Sequence, residues 1–260
     1  AEHKATILPL VPTIYPFLIQ LYARGGYDVS SLRYCISGGA SLPEALLKRV
    51  EEGLGVTVIE GYGLTETSPV IAVNTMKDGS VPGSVGPVLP NIELDIVDDT
   101  GKQVAQGEVG EIRVRGETVM KGYWNRPNET EETISADGWL RTGDLGHLDE
   151  NGRLFISAGR KKDLIIRAGE NVSPLAIENA LMNHPAIAEV AAVGIADERV
   201  GEKVKVFAVL REGAQATGQE LKELCRKKLP AFMIPDIFEF MESLPKTATG
   251  KILKSELRNI

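Results

Sequence analysis

Short apolar blocks separated by amphipathic ones fill the first sixty residues. ATILPLV (5–11) is a brief apolar run. PTIYPFLIQLYAR (12–24) opens with proline and carries apolar residues at helical spacing. LRYCISGG (32–39) is a second run, ending in paired glycines. In SLPEALLKRVEEGLG (41–55), Leu42, Leu46, Val50 and Leu54 fall on one helical face. Ser41 and Glu44 there form a capping-box pattern, and Gly53 or Gly55 can end the helix. VTVIEGYG (56–63) reads as a strand entering a glycine turn. Strands alternating with helices predict a parallel α/β sheet over residues 1–75.

The pattern then changes. NIELDIVDDTGKQV (91–104), GEIRVRG (110–116) and GHLDENGRLFIS (146–157) are short strand-like runs. DDTG and DENG are hairpin signals. Residues 76–161 are thus expected to be mostly β, a small barrel-like subdomain of antiparallel strands, with a short helix near PNETEETI (127–134). Beyond residue 162 the pattern predicts a strand at 164–167 and a helix over Pro174–Met182 capped by Ser173. Strands EVAAVGI (189–195) and KVKVFAVL (203–210), a helix over Gln219–Lys228, strand IFEFM (237–241) and a closing helix from Ile252 follow. The expected domains are therefore 1–161 and 162–260, the second a compact α+β unit of ordinary size.

Composition narrows the class. With 43% hydrophobic and 25% charged residues the 260-residue chain reads as soluble and globular. Its most apolar stretch, 7–21, is broken by Pro9, Pro12 and Pro16 and is shorter than the roughly 20 residues a membrane span needs. No signal-peptide pattern is present, and peripheral membrane contact stays open. Cys35 and Cys225 stand far apart, and His3, His147 and His184 are scattered. That spacing argues against a disulfide framework or a zinc site and fits a reducing, cytoplasmic setting. The net charge of −7 lies within 1–161, and 162–260 balances to zero. Bulk nucleic-acid binding, which needs a basic face, is not expected. An anionic ligand would instead rely on a few local cations and backbone amides. The oligomeric state stays open.

Four stretches carry candidate chemistry. GYGLTET (61–67) sits at the end of a predicted parallel strand, where ligands of such sheets bind. Tyr62 offers a flat face to a base, Thr65 a hydroxyl to phosphate, and Glu66 one hard oxygen to a Mg2+ that also takes phosphate oxygens. The same string also fits an ordinary glycine-rich turn capped by Thr and Glu. SGGAS (37–41) lets backbone approach a ligand closely, and equally makes a tight strand-to-helix turn. RTGDLG (141–146) places Asp144 between glycines, as a loop carboxylate able to accept ribose hydroxyls or as a simple turn residue. Arg160, Lys161, Lys162 and Arg167 cluster at the expected domain boundary, as solvated surface or as a hinge.

Taken in order, SGGAS, EGYGLTET, GEIRVRG followed by VMKGYW, DGWLRTGDLG, GRKKDLI, GENVSPLAIE and PKTATGK resemble the adenylate-forming superfamily, with the fatty acyl-CoA ligase branch nearest. The resemblance spans nearly the whole chain and is to the C-terminal half of such enzymes. It implies that a carboxylate attacks the α-phosphorus of ATP to give acyl-AMP and pyrophosphate, and that the thiol of coenzyme A then displaces AMP. Tyr62 would then stack on adenine, with Gly38, Gly39 and Ala40 on its other side. Thr65 would touch the α-phosphate and Glu66 would hold Mg2+. Asp144 would take the ribose hydroxyls, with Arg160 close by. Lys162 matches the hinge and Gly169 the loop beside the pantetheine tunnel. Lys251 matches the lysine of the last motif, a cation delivered by a mobile C-terminal domain. Gly63, which follows the stacking aromatic, would leave room for a longer or aromatic acid, a medium- or long-chain fatty acid being the first expectation. The chain has no stretch like the family's Ser/Thr/Gly-rich phosphate loop, so by itself it is expected to be inactive. An aryl-CoA ligase, or a short non-catalytic binding protein on the same fold, is the alternative.

Overall fold

The computed structural model describes residues 2–77, 79–247 and 250–260. It divides into two units, residues 1–156 and 157–260. The first opens with β1 (Ile7–Leu10), α1 (Tyr15–Ala23), β2 (Tyr34–Ser37), α2 (Glu44–Leu54) and β3 (Thr57–Tyr62). β1, β2 and β3 are parallel neighbours, and the short β4 (Ala72–Val73) adds antiparallel to β3. The i, i+4 pattern of α2 works as the sequence suggests. Leu46, Leu47, Val50 and Leu54 are buried against Tyr15, Cys35 and Val58, each worth about 1.5–3 kcal/mol of apolar burial. Gly55 ends this helix in the left-handed conformation (φ 67°).

The expected Ser41–Glu44 capping box does not form. Pro43, extended at φ −60° and ψ 139°, is the N-cap and makes no side-chain cap bond. The competing bonds explain this: Leu42 N–H donates to the Glu60 carboxylate at 3.0 Å, and Glu44 pairs with Lys48 at 2.6 Å.

The rest of the first unit is an antiparallel sheet, ordered β5-β9-β8-β7-β6. Its strands are β5 (Ser84–Pro87), β6 (Ile92–Val97), β7 (Gly110–Gly116), β8 (Leu140–Leu148) and β9 (Arg153–Arg160), with α3 (Pro127–Thr133) between β7 and β8. Its core is Ile71, Ile96, Ile112, Val114, Leu140 and Leu154. Both predicted hairpins occur, at 98–101 and 149–152.

The second unit holds β10 (Ile165–Arg167), β11 (Glu170–Val172), α4 (Pro174–Met182), β12 (Ile187–Asp197), β13 (Gly201–Leu210), α5 (Gly218–Lys228), β14 (Ile237–Phe240) and α6 (Lys254–Leu257). The sheet runs β11-β10-β13-β12, with β14 also on β13 and parallel to it. Ser173 caps α4 through Ala176 N–H at 3.1 Å. Thr217 and Glu220 close a reciprocal capping box on α5. The closing helix starts later than expected: Ile252 bridges to Lys246, and α6 is one turn from Lys254. Cys35 and Cys225, one in each unit, are free and fully buried, and burial pushes each thiol up to about 11.

Candidate active site

β2 and β3 end side by side, with Ser37 opposite Glu60. The Gly38–Ser41 turn and the Gly61–Thr67 turn therefore leave the same edge of the sheet. Gly39 takes φ 80°. A Cβ placed on Gly38 would lie 3.6 Å from Gly61 O, so the two turns touch through backbone. Glu60 fastens them: its backbone belongs to β3 and its buried carboxylate holds the amide that follows Ser41.

Tyr62 ends β3, and its hydroxyl donates to Asp144 Oδ2 at 2.6 Å. Asp144 is buried and lies within β8, which corrects the expectation of a loop carboxylate. Its flanking glycines serve the strand. The register between β7 and β8 slips around Ile112, opposite Thr142–Asp144, and Gly143 adopts φ 71°. This is a glycine β-bulge, the device that re-aims a strand residue. Thr142 Oγ1 fixes it, donating to Ile112 O at 2.8 Å and accepting from Asp144 N–H at 3.1 Å. At Gly146 a Cβ would stand 2.5 Å from Phe155 O.

Thr65 and Glu66 lie on a 3₁₀ turn, Thr65–Thr67. Thr65 is exposed, whereas Thr67 is buried and ties the turn through bonds to Leu64 N–H (3.1 Å) and Leu64 O (3.0 Å). Glu66 is held from the VMKGYW stretch: Tyr123 Oη donates to its Oε1 at 2.9 Å, and Met120 N–H to its backbone O at 2.8 Å. Neither Thr67 nor Tyr123 stood out as a site residue in the sequence. The only trace of Thr67's role there is a second Thr beside a Gly-rich turn. Glu66 presents one positioned carboxylate, a set that fits an ion completing its shell with water and phosphate oxygens. No cluster of three or more His, Cys, Asp or Glu able to hold a metal occurs among the described residues.

Gly63 requires a correction. A Cβ there would lie 1.6 Å from Pro69 O and 2.9 Å from Val70 Cα. The glycine is demanded by crossing backbone, so it opens no space for an acyl chain.

The other candidates belong to the second unit. Arg160 is exposed at the end of β9. Lys162 is exposed on a 3₁₀ turn, Lys161–Asp163. Arg258 ties that turn down, donating to Asp163 Oδ1 at 3.0 Å and Lys162 O at 3.4 Å. Gly169 (φ 84°) follows Ala168 (φ 52°) in the two-residue turn joining β10 and β11. Two positive φ values make a type I′ turn, a backbone reason for this glycine beside any need for room. Lys251 is exposed; its N–H donates to Thr247 Oγ1 at 3.1 Å and its O accepts from Thr247 N–H at 2.8 Å. Ala248 and Thr249 of the PKTATGK motif lie outside the described residues.

Glycine-rich turns at the ends of parallel strands are followed along the chain by an antiparallel sheet and a small α+β unit. The chain belongs to the AMP-binding enzyme family. The AMP-binding enzyme model matches residues 1–124 and its C-terminal domain model residues 176–251. Within that family it is 44% identical over 257 residues to a long-chain-fatty-acid–CoA ligase of Bacillus subtilis, covering 98% of this chain and 46% of that one. Among solved structures it matches ATP-bound MatB from Rhodopseudomonas palustris at TM-score 0.92 and 35% identity, over 99% of this chain and 51% of MatB. An anthranilate CoA ligase, AuaEII, in complex with anthranoyl-AMP matches at TM-score 0.91 and 36% identity, over 99% of this chain and 50% of that one. The chain thus spans about half the length of the relatives it matches. No helix among the described residues is long and apolar enough to cross a membrane.

Proposed function

We propose that the full-length protein joins a carboxylic acid to coenzyme A through an acyl-AMP, using ATP. The observation that carries this reading is the Tyr62–Asp144 pair at the carboxyl ends of the parallel strands, beside the Gly38–Gly39 turn. A ring, a buried carboxylate and close-approaching backbone in one place suit a nucleoside. Tyr62 and the Gly38–Ala40 backbone flank adenine, and Asp144 accepts the ribose hydroxyls, with Arg160 beside them. Thr65 meets the α-phosphate. Glu66 holds Mg2+, which when bound draws charge from the phosphate oxygens. The acid's carboxylate and the α-phosphate are both anionic, and Lys251 offsets their repulsion in the transition state. The second unit turns about Lys162 between the two half-reactions, and the Gly169 turn then borders the pantetheine of coenzyme A. The preferred acid is a medium- or long-chain fatty acid, by similarity to the Bacillus subtilis ligase. An aryl acid is the second reading, favoured by the likeness to AuaEII. The two buried free cysteines fit a reducing, cytoplasmic setting.

The test is pyrophosphate release by the full-length protein with ATP, Mg2+ and a panel of fatty and aromatic acids. Release that depends on a fatty acid supports the reading. Release with none of the acids, from a folded protein, overturns it. The 260-residue chain alone, without a phosphate-loop stretch, is expected to release none.

A further inference from the structure

Three lysines flank or sit within the turn near the end of the second unit: Lys246, Lys251 and Lys254. Their surroundings differ. Lys246 Nζ pairs with Glu189 at 2.6 Å, both side chains only 26% exposed. Lys254 Nζ pairs with Glu178 at 2.7 Å, at 20% and 15% exposure. Lys251, between them, is exposed, and no ion pair holds its ammonium among the described residues. The outer two lysines are thus neutralised, leaving the middle one a cation to present.

The backbone is gripped in step. Lys246 bridges to Ile252, Leu253 N–H donates to Pro245 O at 2.9 Å, and Thr247 and Lys251 exchange the bonds given above. Beneath, Leu244, Ile252 and Leu257 pack on Ala191, Val193 and Phe207. Glu189 sits on β12 and Glu178 on α4, so both carboxylates project from the unit's rigid layers. Glu178 Oε1 also accepts Ala192 N–H at 2.8 Å. Glu189 Oε2 is buried without a hydrogen-bond partner, an arrangement that depends on the single lysine beside it.

We infer that Glu178 and Glu189 are positioning residues that act through Lys254 and Lys246 to hold the Lys251 turn in register for the acyl-AMP-forming step. The inference rests on the proposed role of Lys251 and goes beyond it. A cation on a long stem gives directed stabilisation only if its backbone is fixed, because a displacement of about 1 Å at a reacting centre can cost 10²-fold. Two half-buried pairs, one on each side of the turn, supply that fixation. An exposed pair would add little.

The experiment uses Glu178→Gln and Glu189→Gln in the full-length protein. The amide oxygen introduced by Glu178→Gln can still accept from Ala192 N–H, so only the charge pair is lost. Adenylation kcat is expected to fall about 10- to 100-fold for the double variant, with KM for ATP held within about twofold. Thioester formation from pre-formed acyl-AMP is expected to change less than about threefold. The swap Glu189→Lys with Lys246→Glu is expected to recover most of the loss due to position 189. A merely stabilising role would lower both half-reactions together, and that result overturns the inference. Amide exchange in the full-length protein gives a readout free of activity. Thr247 and Lys251 amides are expected to exchange about tenfold faster in the double variant; unchanged exchange overturns the inference. Lys251→Ala separates the two claims. If it abolishes adenylation while the Glu→Gln variants do not, the inference fails alone; if it leaves adenylation intact, both fail.

Discussion

Replacing Glu60 by glutamine probes a buried carboxyl at the junction of the Gly38–Ser41 and Gly61–Thr67 turns. Glu60 is 6% exposed. Burial pushes its pKa from an ordinary 4.5 up to about 7, against the smaller opposing pull of the Leu42 N–H bond. Between these values the folded chain keeps a proton that the unfolded chain releases. Stability from this group is therefore fully present below pH 4.5 and is lost as pH rises through 7. At about 1.4 kcal/mol per tenfold change the loss amounts to roughly 3 kcal/mol. The Glu60→Gln side chain is neutral throughout and keeps an oxygen for Leu42 N–H, so at pH 4.5 the variant is expected within about 1 kcal/mol of the parent. By pH 8 it is expected to be the more stable of the two by up to about 3 kcal/mol. Both tryptophans, Trp124 and Trp139, lie in the first unit, so urea unfolding followed by their fluorescence reports the relevant transition. Groups that titrate equally in both proteins cancel in the difference. A difference that stays constant from pH 4.5 to 8 would refute the reasoning.

Three further outcomes are expected. Lys251→Ala in the full-length protein lowers adenylation about 10²-fold or more, as for loss of one transition-state donor, and spares thioester formation from pre-made acyl-AMP; equal losses in a two-step assay would remove the role. Gly63→Ala forces a Cβ into Pro69 O and costs about 3 kcal/mol or more, read as a lowered urea midpoint; a variant of parental stability with a shortened acyl preference would restore the pocket reading. Thr217→Ala removes the α5 capping box and costs about 1 kcal/mol, measured as reduced helical stability by circular dichroism; no change would show that the cap contributes nothing.

Where local signals and tertiary needs agreed, the sequence was readable. α4 begins where Ser173 caps it, and the apolar face of α2 is its buried face. Where a distant partner decided, it was not. Ser41 loses its capping role because Glu60, well downstream on β3, takes the neighbouring amide. Asp144 reads as a turn residue because two glycines flank it, yet those glycines make a bulge and a close strand crossing. Gly63 reads as open space because glycine has no side chain, and only the fold reveals that Pro69 already fills it. β11 escaped notice since its turn places Ala168, a residue that rarely takes positive φ, at 52°. The candidate site was legible as a set of stretches, and the bonds from Tyr123 and Thr142 that hold it were not.

The two sealed thiols have a use of their own. With each held near 11 and fully covered, neither Cys35 nor Cys225 reacts at neutral pH until its surroundings open, since the thiolate is the reactive form. Each unit therefore contains one natural clock. Timed alkylation followed by peptide mass measurement would give the opening frequency of the first unit, through Cys35, and of the second, through Cys225, separately and in one sample.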